Sequence, residues 1–198
     1  MLRDIRPALV MMLLMTVLLG LVYPLGMTGI AGAIMPQQAK GSLIERDGKV
    51  IGSTLIGQNF TGDKYFHGRP SATTDTDPND STKTVPSPYN AASSLASNLG
   101  PTSKALVERV KEDVARLGGS KEKPLPADMV TTSGSGLDPH ISPAAAALQV
   151  ARVAQARGLP EARVRALLAA ATDERTFGVL GEPRVNVLQL NLSLDAAK

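Results

Sequence analysis

An uncharged stretch near the N terminus limits what this chain can become. Residues 8–35 contain no Asp, Glu, Lys or Arg, and their first half consists mainly of Leu, Met and Val. The hydrocarbon core of a bilayer needs about 20 apolar helical residues. Inside lipid, a lone segment must satisfy its own backbone hydrogen bonds and is therefore helical. We predict one transmembrane helix over residues 8–35, preceded by a short cytoplasmic tail at residues 1–7.

A cleaved secretory signal is the alternative interpretation of this stretch. Ala31-Gly32-Ala33 offers a cleavage site of small residues, and Arg3 and Arg6 provide a basic start. Signal h-regions run about 7–15 residues, whereas the densely apolar part here continues from Ala8 to Tyr23. Length therefore favours a retained anchor. Because long domains translocate largely regardless of their charge, we expect residues 36–198 to form an extracytoplasmic domain.

Composition limits the chemistry of residues 36–198, which suit a single compact domain. The chain has no Cys, which excludes disulfides and thiol chemistry, and its two His leave no recognisable metal-ligand spacing. The 21 basic and 18 acidic residues are interleaved, without a basic stripe or aromatic stacking platforms. We therefore expect no nucleic acid partner.

Local signals predict an α+β fold, with the N-terminal transmembrane helix followed by a single mixed α/β soluble domain. Asp47-Gly48 suits the tight turn of a hairpin within residues 41–60. Residues 61–89 read as irregular, ordered near their aromatic start and mobile around residues 75–83. N-cap residues or Pro at the start, and Gly after the end of the first three, predict helices over residues 91–99, 103–117, 143–157 and 160–171. The Leu-rich end, residues 185–194, fits a strand or a helix, and we favour a strand.

The segment over residues 130–143 is the most unusual part of the sequence. Its small residues 133–136 allow backbone amides to face a ligand, and it leads into a helix N-terminus, a combination that can hold an anion. It lacks the P-loop Lys and fails the G-x-G-x-x-G pattern, so a structural connection is the better-supported interpretation. Ser135, Asp138 and His140 are too close in sequence for a hydrolase triad. We expect Arg69 to form an internal ion pair, the alternative being a carboxylate of a partner.

Several longer motifs resemble one family. They occupy residues 52–60, 65–72, 89–102, 132–143, 152–158 and 181–187, in addition to the uncharged N-terminal helix. Together they resemble the C subunit of the Kdp potassium-transporting ATPase (the KdpC family) over almost the whole chain. The spacer over residues 73–87 is the least family-like part.

The resemblance implies a subunit of a bacterial inner-membrane complex that imports potassium at the expense of ATP. The implied partners are a catalytic P-type ATPase subunit and a potassium-channel-like subunit. The family is described as assisting assembly and raising the ATP affinity of the catalytic subunit. This chain lacks a P-type phosphorylation motif and a Walker sequence. We therefore expect an accessory, non-catalytic subunit with no metal and no firmly bound cofactor. The resemblance implies that any ATP would come to it only through the complex.

Nucleotide contact in the family is associated with the Ser/Gly-rich segment and a following Gln, here Ser133, Gly134, Ser135, Gly136 and Gln149. This expectation conflicts with an extracytoplasmic domain, which cytoplasmic ATP does not reach, and the topology is better supported. The residues alone, without the resemblance, favour a free-standing membrane-anchored domain that binds a ligand outside the cell. That alternative stays open at this point.

Overall fold

The computed structural model describes residues 2–197, which form two compact units. The first extends to Ser53 and the second begins at Thr54. Two residues lie outside the described part of the chain. They are Met1, in the predicted cytoplasmic tail, and Lys198, at the end of the predicted soluble domain.

The first unit begins with a long helical segment: α1 over Leu2–Val17, a π-helical turn over Leu18–Val22, α2 over Tyr23–Ile34 and a short α3 over Pro36–Ala39. The helical segment Arg3–Ile34 spans 32 residues, and an 18-residue window within it has a mean hydropathy of 2.4 and contains no buried residue. The segment is therefore long and apolar enough to cross a membrane. The predicted helix is confirmed, although it starts before Ala8. Residues 8–35 as the limits of the membrane span stay a prediction.

The π-helical turn ends at Val22, two residues before Pro24. Proline has no N–H for the carbonyl four residues earlier, and its ring crowds that carbonyl. The turn therefore widens, and the Tyr23 N–H donates to the Leu18 carbonyl, five residues back.

A hairpin follows in the same unit. β1 over Leu43–Arg46 pairs antiparallel with β2 over Lys49–Ser53. Asp47 and Gly48 have φ angles of 52° and 72°, the positive values that a type I′ turn requires at both positions. The predicted hairpin and its turn are confirmed.

The second unit mixes short strands with four longer helices. Its elements are β3 (Thr74–Asp77), β4 (Asp80–Pro86), α4 (Lys104–Arg116), a 3₁₀ turn (Ala127–Met129), β5 (His140–Ile141), α5 (Pro143–Arg157), α6 (Glu161–Ala170), β6 (Thr172–Asp173), β7 (Arg184–Asn186) and α7 (Val187–Ala196). β3 and β4 form an antiparallel hairpin, and β7 lies between β5 and β6 in an antiparallel sheet. This mixture confirms the predicted fold class.

The core of this unit is aliphatic apart from Phe66 and lies where α5, α6, α7 and the three-stranded sheet meet. Its buried members are Phe66, Ile141, Ala145, Ala146, Val150, Val153, Ala154, Val164, Leu168, Val185, Val187, Leu190 and Leu194. Ser142 begins α5 as its N-cap, because its hydroxyl accepts the Ala145 N–H at 3.0 Å, and Gly158 ends it with a φ angle of 65°. Both signals were predicted, as was the helix over Lys104–Arg116.

Two predictions in the middle of the chain are wrong. Residues 75–83 were expected to be mobile, yet they contribute to the β3–β4 hairpin, whose turn is ordered by the Asp77 carboxylate accepting the Asn79 N–H at 2.8 Å. Residues 91–99 form no helix. The Leu95 N–H donates instead to the Ser135 carbonyl at 3.0 Å, which ties this segment to a distant loop.

The predicted C-terminal strand is correct only as far as Asn186. Residues Val187–Ala196 are helical, and the Asn186 side chain caps this helix by accepting the Gln189 N–H at 3.1 Å. Val187, Leu190 and Leu194 face the core at helical spacing, and Leu has a high helix propensity.

Candidate functional site

A cleft of about 440 Å³ opens on the second unit. Its wall combines apolar and charged side chains. The lining residues are Asn59, Phe60, Thr61, His67, Gly68, Arg69, Pro70, Ser71, Pro88, Tyr89, Asp113, Arg116, Leu117, Asp128, Met129, Ile141, Ala145, Gln149 and Arg152. Three arginines and two aspartates leave an excess of positive charge in this lining.

Two side-chain amides fix the segment that forms one wall of the cleft. Gln149 on α5 accepts the His67 N–H at 2.8 Å through Oε1 and donates to the His67 carbonyl at 3.1 Å through Nε2. Asn191 on α7 holds Phe66 in the same way, at 2.9 Å and 3.0 Å. Both amides are buried, with 7% and 1% of their residue surface exposed. Helices α5 and α7 therefore hold two consecutive backbone units that belong to no strand.

Arg152 extends this network toward solvent. It lies one turn after Gln149 on α5 and donates to Gln149 Oε1 at 2.8 Å and to the Asp63 carbonyl at 2.6 Å. Burial lowers the pKa of Arg152, against the opposing charge of Asp63. Burial of the His67 ring likewise lowers the pKa of His67, and this effect outweighs the opposing effect of the hydrogen bond between His67 and the Gly62 carbonyl. The lowered pKa favours the neutral form of His67 at pH 7.

Arg69 forms an internal ion pair, as predicted. Its Nη1 lies 2.9 Å from Asp138 Oδ2, and Asp138 Oδ1 also accepts the His140 N–H at 2.9 Å. Burial raises the pKa of Asp138, but the hydrogen bonds from His140 and Arg69 outweigh it and hold the pKa below its usual value. Tyr89 donates its hydroxyl to the Arg69 carbonyl at 2.7 Å, and burial raises its pKa to about 12.

The Ser/Gly loop, residues 133–136, lies behind this wall and lines no part of the cleft. The Ser133 N–H donates to the Pro70 carbonyl at 3.3 Å, and the Ser71 hydroxyl donates to the Gly136 carbonyl at 2.7 Å. Gly136 has a φ angle of 69°, and a Cβ there would come within 2.5 Å of Thr73 Cγ2. A Cβ at Gly134 would meet nothing within 4 Å. The close-packed side of the loop therefore supports the segment that carries Arg69.

The predicted site residues thus divide into two places. Gln149 lines the cleft, whereas Ser133, Gly134, Ser135 and Gly136 do not. The structure does not bring them together around one cavity, and nucleotide contact by these residues stays a prediction. Among residues 2–197, no three His, Asp or Glu side chains form a group that could hold a metal ion.

Sequence reasoning missed Asn191 and Arg152 as members of this network. An Asn between leucines at core spacing was the available signal for Asn191, because a buried amide requires hydrogen-bond partners. Nothing local distinguishes Arg152, whose partner carbonyl at Asp63 lies 89 residues away.

Comparison with known proteins covers the whole chain. The family model for "K+-transporting ATPase, c chain" matches residues 5–196. The chain belongs to this KdpC family. It is 65% identical to the potassium-transporting ATPase KdpC subunit of Rhodopseudomonas palustris strain BisB18, with 100% of both chains covered. It is also 65% identical to the KdpC subunit of Bradyrhizobium diazoefficiens, over 100% of this chain and 98% of that protein. The KdpC subunit of Methylobacterium nodulans is 63% identical over 98% of both chains.

These matches confirm the resemblance drawn from the sequence motifs. The second unit, with its cleft and paired amide contacts, falls within the matched region, as does nearly all of the apolar N-terminal helix. Both units are therefore parts of the KdpC family pattern.

Proposed function

We propose that this chain is a non-catalytic subunit of an ATP-driven, high-affinity potassium import complex. The relatives are named as KdpC subunits of a potassium-transporting ATPase and match this chain from end to end. The observation that carries the proposal is the Arg3–Ile34 helix, which is apolar and contains no buried residue. Such a helix requires lipid or other helices around it. Its proposed partners are the catalytic P-type ATPase subunit and the potassium-channel-like subunit.

The proposed location is the bacterial inner membrane, crossed once, with the second unit on the extracytoplasmic side. Arg3 and Arg6 stay in the cytoplasm in this orientation, and it is supported by the tendency of long domains to translocate largely regardless of their charge. A reporter fused at the C terminus tests the orientation. Alkaline phosphatase activity is expected from the fusion, and cytoplasmic reporter fluorescence would contradict it.

The proposed role is to assist assembly and to raise the ATP affinity of the catalytic subunit from a distance. Gln149 supports an indirect route, because both of its side-chain polar atoms are already bonded to His67. An indirect effect requires two states of the catalytic subunit that this chain binds unequally. A complex lacking this chain should then show a higher KM for ATP, and an unchanged KM would contradict this role.

The direct form of the proposal has Ser133, Gly134, Ser135, Gly136 and Gln149 contact the nucleotide. It is supported by the open space beside Gly134, which leaves that part of the loop accessible. Photolabelling of the purified complex with an ATP analogue separates the two forms. Label on this chain that excess ATP removes would support direct contact. Label confined to the catalytic subunit would support the indirect route.

A free-standing, membrane-anchored ligand-binding domain is the second candidate. The cleft favours it, because Phe60 and Met129 offer apolar surface in the same cavity as Arg116 and Arg152. Extraction of native membranes with a neutral detergent decides between the candidates. A subunit is expected to co-purify with its larger partners in fixed stoichiometry, whereas a free-standing domain would be recovered alone.

We also expect no ATP hydrolysis by this chain in isolation. Hydrolysis that a single substitution in the chain abolishes would contradict its non-catalytic role.

A further inference from the structure

The turn between β6 and β7 exposes three large apolar side chains. Phe177, Val179 and Leu180 have 88%, 72% and 59% of their surface exposed. The other two Phe residues of the chain behave differently: Phe66 is fully buried, and Phe60 packs against the core. We name residues 176–180 the apolar tip. Contiguous exposed apolar residues of this kind are typical of interaction sites, whereas single ones are common on any surface.

The apolar tip has a defined conformation. The Thr176 N–H donates to the Leu180 carbonyl and the Leu180 N–H donates to the Thr176 carbonyl, each at 2.9 Å. Phe177 has a φ angle of 54°, which is uncommon for a bulky residue, and Gly178 follows at 74°. The turn is therefore fixed with Phe177 in solvent. A turn that is fixed before binding loses less conformational entropy on association.

Charges beside the apolar tip discriminate between a membrane and a protein as its partner. Asp173, Glu174 and Glu182 lie beside it in the sequence, and the two neighbouring arginines are already paired. Arg175 contacts Glu182 at 2.6 Å, and Arg184 lies 3.7 Å from Asp173. The flanks carry an excess of negative charge. Segments that bind anionic lipid surfaces combine apolar residues with unpaired Lys and Arg, so these flanks disfavour a bilayer.

We propose that the apolar tip inserts into an apolar pocket on another membrane subunit of the potassium-transporting complex. The inference rests on the proposed function, because it requires the chain to be part of that complex. The tip would provide a contact separate from the transmembrane helix. Phe177 would be its anchor, since buried aromatic side chains contribute most to such contacts.

Leu180→Ser and Leu55→Ser form a matched pair for testing this inference. Both remove an exposed Leu from the second unit, with 59% and 61% of its surface exposed. We expect Phe177→Ser and Leu180→Ser in the co-expressed full complex to weaken retention of this chain about tenfold or more under stringent detergent washing. Leu55→Ser should be retained like the wild type. Equal retention of Leu180→Ser and Leu55→Ser would overturn the inference.

Photocrosslinking identifies what the apolar tip touches. A benzoylphenylalanine replaces Phe177 in the full complex, and the same residue at position 55 is the control. We expect a product of this chain with one larger subunit from position 177 only. Crosslinks to lipid alone, to a second copy of this chain, or to nothing would each overturn the inference. If the unmodified chain co-purifies with no partner at all, the proposed function itself fails, which distinguishes the two failures.

Discussion

Gln149 and Asn191 lie on different helices and hold two consecutive residues, His67 and Phe66, by the same pair of backbone hydrogen bonds. Each side-chain amide replaces the neighbouring strand that Phe66 and His67 lack. All four distances lie between 2.8 and 3.1 Å. The wall of the cleft is therefore fixed by polar contacts within the core, and this arrangement makes the first prediction specific.

Asn191→Leu and Gln149→Met keep the approximate side-chain size and remove the polar contacts. Each leaves a buried N–H and carbonyl without partners, and we expect a loss of about 2 kcal/mol or more in the free energy of unfolding. Gln155→Met is the control, because Gln155 lies exposed on the same helix. Thermal unfolding of the full chain in neutral detergent measures the effect. Equal melting temperatures for Gln149→Met and Gln155→Met would contradict it.

Gly136→Ala should destabilise the second unit far more than Gly134→Ala. A Cβ at Gly136 would lie 2.5 Å from Thr73 Cγ2 and 2.7 Å from the Leu95 carbonyl, at a φ angle of 69°. We expect a cost of about 2 kcal/mol or more. Gly134 provides the matched control, because its added Cβ would meet no atom within 4 Å. Paired melting curves test this difference, and similar curves for both variants would show that the loop adapts without cost.

Asp138→Asn should change how stability depends on acid. The pKa of Asp138 is held below its usual value, so its charge stabilises the folded state at neutral pH and this contribution is lost as the pH falls through the lowered pKa. The wild type should therefore melt above Asp138→Asn at pH 7, and the difference should shrink as the pH falls below about 4. Melting temperatures from pH 7 to pH 3 test the sign. A difference that grows in acid would contradict it.

His67 should affect the pH dependence of stability at a higher pH than Asp138 does. Burial lowers the pKa of His67 below 6.5, and the nearby charge of Arg152 adds to this effect. The unfolded chain then binds this proton more tightly than the folded one, so stability should fall as the pH decreases through 6.5 toward the lowered pKa. His67→Gln should remove that part of the pH dependence. Melting of both proteins at pH 7.5 and pH 5.5 tests it, with an identical pH dependence as the contradicting result.

Local chemistry determined what could be predicted from the sequence. Ser142, Gly158 and the Asp47-Gly48 pair act on residues within a few positions, and the elements that they bound were predicted correctly. Residues 91–99 were predicted to be helical but are not. Their Leu95 N–H bonds instead to the carbonyl of Ser135, which lies 40 positions away. No local pattern reveals such a partner.

The candidate site also shows this difference between local signals, which could be predicted, and distant partners, which could not. Arg69 was expected to pair internally, because its bidentate guanidinium suits a carboxylate. Its partner, Asp138, lies 69 residues away. Gln149 was selected by resemblance alone, and its bonds to His67 span 82 residues. The chemical type of a contact could therefore be predicted from a residue, while the identity of its partner required the fold.

The glycines of the N-terminal helix provide the last prediction. Gly20, Gly26 and Gly29 lie within the apolar segment, where small residues allow a neighbouring helix to approach closely. A Cβ added at these positions would meet nothing in this chain within 4 Å, apart from Thr16 Cγ2 at 4.0 Å beside Gly20. Leu is also a better helix former than Gly, so the isolated helix should not suffer.

The triple Gly→Leu variant should therefore insert into membranes normally while its recovery with the larger subunits decreases. Resistance to alkaline extraction measures insertion, and co-purification in neutral detergent measures assembly. The control enlarges Val10, Val17 and Val22 to Leu on the same helix and should assemble like the wild type. Normal recovery of the Gly→Leu variant would show that no partner helix packs against these glycines. Loss of insertion would locate the effect in the helix itself.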